Sequence, residues 1–140
     1  MSEFSENISR ANQYLQPFKA TTTGHFINGR VVLPAGAATY DNTTPVDNSS
    51  LGSVVAGTAA DVDRACEAAE AAFADWRDLP GAERKKVLNQ FADKIVEHAD
   101  EIALVESMDC GQPIRFMKQA AIRGAANFRD RKSTRLNSRH

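Results

Sequence analysis

The amino-acid sequence predicts a mixed α/β chain in which short β-hairpin strands precede about four helices. Three observations predict it. An Asn28-Gly29 pair sits between two short runs containing β-branched and aromatic residues; the apolar residues change period at Asp61 to steps of three and four; and that period returns as far as Phe128, interrupted at Leu79-Pro80-Gly81 and near Gly111. The chain has 140 residues, 42% hydrophobic and 25% charged, which fits one globular unit with a real core.

The elements follow in order. Phe4, Ile8, Leu15 and Phe18 lie at loosely helical spacing in residues 1–23, an amino-terminal extension that ends at Thr21-Thr22-Thr23-Gly24. His25-Phe26-Ile27-Asn28-Gly29-Arg30-Val31-Val32 then predicts a hairpin, because Asn and Gly tolerate the positive φ of a two-residue turn. Two more short strands are expected around Ala38–Tyr40 and Ser53–Ala56, joined by a turn-rich stretch holding Pro45, Asp47, Asn48 and Gly52. From Asp61, the residues Val62, Ala65, Cys66, Ala69, Ala72, Phe73 and Trp76 fall on one face of a helix over 61–76. A second helix is expected over 82–97 on Val87, Leu88, Phe91 and Ile95. A third should be capped by Asp100 and stop near Gly111, and a fourth should open at Pro113 and carry Ile114, Met117, Ala121 and Phe128. No internal repeat is visible, and no long apolar strand of a complete α/β sheet.

Charge and cysteine content narrow the function classes. Net charge is -1, and four of the 17 basic residues (Arg131, Lys132, Arg135, Arg139) stand in the last ten positions, which hold no acid. The remaining 13 basic against 18 acidic residues give a mildly acidic body with no clustered footprint for nucleic acid or anionic membrane. Two cysteines, Cys66 and Cys110, make no disulfide framework. The acidic start Met-Ser-Glu-Phe-Ser-Glu is unlike a secretory or mitochondrial leader, and no run approaches the roughly 20 apolar residues of a membrane span, so a cytoplasmic protein is expected.

Few residues suggest chemistry. Cys110 could be cast as a nucleophile with His98 as its base, but a helix C-terminal end is an unfavourable place for a thiolate. Cys66, on the apolar stripe, reads as a small core residue. His25, His98 and His140 have no metal-ligand spacing among themselves or with the cysteines, and Gly-x-Gly-x-x-Gly, P-loop and Gly-x-Ser-x-Gly motifs are absent.

Several spaced motifs carry more information together than any does alone. They are Phe26-Ile27-Asn28-Gly29; Thr44-Pro45-Val46-Asp47 with Gly52-Ser53-Val54; Ala60-Asp61-Val62-Asp63-Arg64-Ala65 through Phe73 and Trp76; Glu83-Arg84; Ala92-Asp93-Lys94-Ile95; and Glu101-Ile102-Ala103 into Glu106-Ser107-Met108-Asp109-Cys110-Gly111-Gln112-Pro113-Ile114. Their order and spacing over residues 24–129 resemble the start of the aldehyde dehydrogenase superfamily. The stretch from Gly111 to Arg129 looks most like the branch acting on hydroxymuconic semialdehydes, in particular the 5-carboxymethyl-2-hydroxymuconate semialdehyde dehydrogenases. Departures are Thr44 where Asn is usual, Cys110 where a small polar residue is commoner, and Gln112 where Lys is frequent.

The resemblance implies the amino-terminal part of that fold, with the parallel cofactor-binding sheet mostly missing. It implies an oxidoreductase that takes a small-molecule aldehyde to its acid with NAD or NADP through a cysteine nucleophile, and a homo-oligomeric parent. The nucleophile, the glutamate base and the dinucleotide strands belong to later segments, so catalytic and cofactor-binding residues are expected to be absent and the chain by itself to bind no cofactor. In some members a structural monovalent cation is held by the carboxylate matching Asp109 and the backbone carbonyl matching Thr43. Residues 130–140 depart from the family pattern and resemble translated sequencing-adapter read-through; residues 131–140, with only Leu136 as a large apolar side chain, are expected to be disordered. Two readings compete with the dehydrogenase: a free-standing helical interaction module, and a small thiol enzyme built on Cys110 and His98.

Overall fold

The computed structural model describes residues 2–129. The expectations for the tail, residues 130–140, lie outside the described residues. Among the described residues the elements follow in the order α1 (Glu3–Ala20), β1 (His25–Ile27), β2 (Arg30–Val32), β3 (Thr39–Thr43), β4 (Ser50–Val55), α2 (Ala59–Asp78), α3 (Gly81–Glu97), α4 (Ala99–Cys110) and α5 (Ile114–Arg129). The strands form two separate antiparallel pairs, β1 with β2 and β3 with β4. The expected class, hairpin strands followed by helices, is what the chain adopts.

The described residues divide into two compact units, one of residues Leu15–Arg77 and the other of residues 2–14 and 78–129. In the strand-bearing unit, Ile27 pairs with Arg30 across the Asn28-Gly29 turn, whose φ angles of 52° and 74° are those the dipeptide was expected to supply. The β3/β4 pair is longer than the sequence suggested and carries a bulge. Asn42 faces Gly52 and Thr43 faces Ser50, so Leu51 is the extra residue, and it is buried. Gly52 was expected in the turn but lies inside β4. Its φ is 129°, and a Cβ there would stand 2.1 Å from the Phe18 carbonyl oxygen, so only glycine lets the chain after Leu15 approach β4 this closely.

The loop between β3 and β4 is tied by its own polar groups. The Thr44 amide donates to the Ser49 carbonyl at 3.0 Å, the Asn48 amide to the Thr44 carbonyl at 2.9 Å, and the Ser49 amide to Asp47 Oδ1 at 2.9 Å. Leu15, Thr44, Leu51, Val55 and Asp61 are the buried residues of this unit.

In the helical unit the buried positions are Ala11, Ala92, Ala103, Leu104, Ala121 and Ala125, so α5 packs on α3 and α4 through small side chains that let backbones come close. Phe91 on α3 and Phe128 on α5 add an edge-to-face contact. The helix starts differ in part from expectation. Asp100 does not cap α4: His98 holds the cap position with no side-chain cap bond, and Asp100 lies in the first turn paired with Arg10 at 2.9 Å. Ending α3 and opening α4 in one residue leaves no room for a separate capping residue at 100. Gly111, at φ 71°, closes α4 in the left-handed conformation as expected.

Candidate functional site

The best-built polar cluster lies at the start of α2. Thr58 and Asp61 cap the helix reciprocally: Asp61 Oδ2 accepts the Thr58 amide at 2.8 Å and its hydroxyl at 2.6 Å, and the Asp61 amide donates to Thr58 Oγ1 at 3.3 Å. Arg64, one turn on, donates to Asp61 Oδ1. These hydrogen bonds, the Thr58 hydroxyl first and its amide second, hold the Asp61 carboxyl below the usual carboxylate range, helped by Arg64 and His25. His25 reaches the cluster from β1, its Nε2 buried 3.7 Å from Asp61 Oδ2 and without a hydrogen-bond partner among the described residues. The arrangement can orient and fasten, and its one hydroxyl, that of Thr58, is engaged in the cap. The Thr58-x-x-Asp61 spacing is a capping signal that sequence reasoning passed over, while nothing in the sequence links His25 to Asp61.

The thiol reading does not survive the geometry. His98 and Cys110 stand at opposite ends of α4, which at about 1.5 Å per residue separates them by about 18 Å, far beyond the roughly 3 Å a nucleophile and its base require. His98 Nδ1 is instead engaged with Glu101 Oε2 at 2.9 Å, and Cys110 is an exposed free thiol.

Cys66 was expected in a core and is corrected: it is exposed, as are Val62 (59%), Phe73 (58%) and Trp76 (41%) on the same helix. The stripe has the right period, but the described residues of its unit do not cover it.

Of the two residues expected at a cation, Thr43 ends β3 in one unit and Asp109 lies in the last turn of α4 in the other; both are exposed. Among the described residues no group of three or more His, Cys, Asp or Glu side chains could hold a metal ion. The strand pairs are both antiparallel, so the described residues do not build the parallel-sheet crevice in which a dinucleotide lies. A groove of about 200 Å³ between α1 and α4 is lined by Phe4, Asn7, Ile8, Leu104, Ser107, Met108 and neighbours, with no titratable group. No helix among the described residues is long and apolar enough to cross a membrane.

Comparison with known proteins adds what the geometry lacks. Residues 32–136 match the model of the aldehyde dehydrogenase family. The chain is 41% identical over 103 residues to the NADP/NAD-dependent aldehyde dehydrogenase PuuC of Escherichia coli K12, covering 72% of this chain and 21% of that protein. It superposes on the crystal structure of HpcC from Thermus thermophilus with a TM-score of 0.82 at 34% identity, over 86% of this chain and 24% of HpcC. Betaine aldehyde dehydrogenase from Staphylococcus aureus, solved in complex with NAD+, gives 0.78 at 26% identity, over 86% of this chain and 24% of that one. The chain spans about a fifth of the length of the curated relatives it matches.

Proposed function

This chain belongs to the aldehyde dehydrogenase family, and from that premise we propose that it is the amino-terminal scaffold of an NAD- or NADP-dependent enzyme oxidising a semialdehyde to the carboxylic acid, and that it turns over no aldehyde alone. The observation that carries this reading is the superposition on HpcC over 86% of the chain and only 24% of HpcC, while Cys110 and His98 stand at opposite ends of α4. The resemblance of Gly111 to Arg129 to the hydroxymuconic semialdehyde branch favours a substrate from aromatic-compound degradation. In the same reading the parent is a cytoplasmic homo-oligomer that meets a small-molecule aldehyde and neither nucleic acid nor membrane.

The test is an assay of the purified chain with NAD, NADP and a panel of semialdehydes, beside a longer chain carrying the rest of the fold. Activity is expected only in the longer chain. Turnover by the 140-residue chain that disappears in Cys110→Ser would overturn the proposal.

The Asp109 carboxylate and the Thr43 carbonyl, both oxygen donors of the kind hard cations take, are assigned in this proposal to a structural monovalent cation. Potassium or sodium should then raise the melting temperature of the longer chain more than an equal concentration of a bulky organic cation, and Asp109→Asn should abolish the difference. Equal melting in all three salts would remove the assignment.

A further inference from the structure

Asn28 and Asn48 are the two non-glycine residues with positive φ among the described residues, 52° and 61°, and both are exposed in turns of the same unit. They look alike to first order and differ in the atom that matters for asparagine chemistry. An asparagine side chain is lost when the backbone nitrogen of the next residue, having given up its proton, attacks Cγ and expels ammonia. The resulting five-membered succinimide is then opened by water to aspartate or isoaspartate. The balance is one water consumed and one ammonia released, with no oxidant or cofactor.

At Asn48 the attacking nitrogen would be that of Ser49, and this N–H donates to Asp47 Oδ1 at 2.9 Å. The Ser49 hydroxyl first and this amide second hold the Asp47 carboxyl below its usual range, so the nitrogen would have to become an anion beside a carboxylate. At Asn28 the attacking nitrogen belongs to Gly29. It lies outside the Ile27–Arg30 pair, it meets no acceptor among the described residues, and a Cβ built on Gly29 would find nothing within 4 Å. The hairpin that must loosen to let it swing toward Cγ is only three residue pairs long and two-stranded, a size that is marginal in water.

The remaining described asparagines sit in regular structure, Asn7, Asn12, Asn89 and Asn127 in helices and Asn42 in β3. We propose that Asn28 is a site of spontaneous deamidation in this chain, and that Asn48, though equally exposed and equally left-handed, is protected by Asp47. Conversion at Asn28 places a carboxylate next to Arg30. Through the isoaspartyl product it also adds a backbone atom to the two-residue turn on which the β1/β2 register depends.

Trypsin separates the two sites, since cleavage after Lys19, Arg30 and Arg64 puts Asn28 in peptide 20–30 and Asn48 in peptide 31–64. The intact chain is held folded at mildly alkaline pH, digested at intervals, and read by mass spectrometry and by methylation with an isoaspartyl methyltransferase. Peptide 20–30 is expected to convert within about tenfold of the rate of the free 24–33 peptide, because opening so short a hairpin costs little. Asn48 should keep its amide until Asp47→Ala is introduced, and Asn28→Gln should remove the first signal. An Asn28 amide that persists long after the free peptide has converted would overturn the proposal. So would an Asn48 that converts as fast as Asn28 in the parent sequence, or one that Asp47→Ala leaves unchanged.

Discussion

Phe91 and Phe128 meet edge to face, with ring centroids 4.8 Å apart and planes at 75°, and so couple the middle of α3 to the last turn of α5. The rings are respectively 53% and 38% exposed, so their interaction is expected to rest on geometry as much as on burial. A double-mutant cycle with Phe91→Ala and Phe128→Ala, read by urea unfolding, should give a coupling of about 0.5–1.5 kcal/mol. Strict additivity of the two substitutions would mean the rings do not hold the helices together.

The α2 cap should matter next. Thr58→Ala removes the hydroxyl that Asp61 accepts and is expected to lower stability by about 0.5–2 kcal/mol, with Thr58→Ser close to the parent. An alanine variant as stable as the parent in thermal melts would show that the cap contributes nothing.

A pH dependence follows from the same carboxylate. The folded chain holds the Asp61 carboxyl below its unfolded value, so its contribution is complete above the ordinary carboxylate range and is lost as pH falls through the lowered value. Stability measured from neutral to acid should therefore drop less steeply in Asp61→Asn, which starts lower. Parallel acid profiles for the two chains would contradict this.

The exposed face of α2 carries a third consequence. Val62, Phe73 and Trp76 present apolar area that their own unit does not cover, a known liability for association. The isolated 140-residue chain should self-associate in sedimentation and bind an apolar dye, and Phe73→Ser with Trp76→Ser should reduce both. A sharp monomeric unfolding transition without dye binding would favour the free-standing helical module instead.

Both thiols are expected to react with a maleimide in the folded chain about as fast as in denaturant, because Cys66 and Cys110 are exposed. Protection of Cys66 alone would restore the core position its spacing suggested.

What the sequence made legible was local. The Asn28-Gly29 turn, the helix over 61–76 within α2, the break at Pro80-Gly81 and the stop at Gly111 all rest on properties of one or a few adjacent residues, and each appears where expected. Burial was not legible, because the period of Val62, Cys66, Phe73 and Trp76 states that they share a face but not what the face meets. The approach of His25 to Asp61 joins residues 36 positions apart through a turn geometry that no short motif encodes. The bulge at Leu51 hid for the same reason, since one extra residue between strands leaves their composition unchanged. The reaction class came from many weak motifs in a shared order, and the described residues bring no reactive group together that could have announced it.

Ala92, Ala103 and Ala125 are fully buried where α3, α4 and α5 meet, and an interface of methyl groups has an unusual tolerance profile. Truncation removes little there, since Ala→Gly deletes one methyl and costs mainly helix propensity, about 1 kcal/mol. Enlargement is the danger, because each added methylene must push two backbones apart rather than swing a rotamer aside. Variation at these three positions should therefore be one-sided. Serine or glycine would be accepted and valine or leucine rejected, the reverse of the asymmetry in a leucine-filled core, where loss of volume is the usual injury.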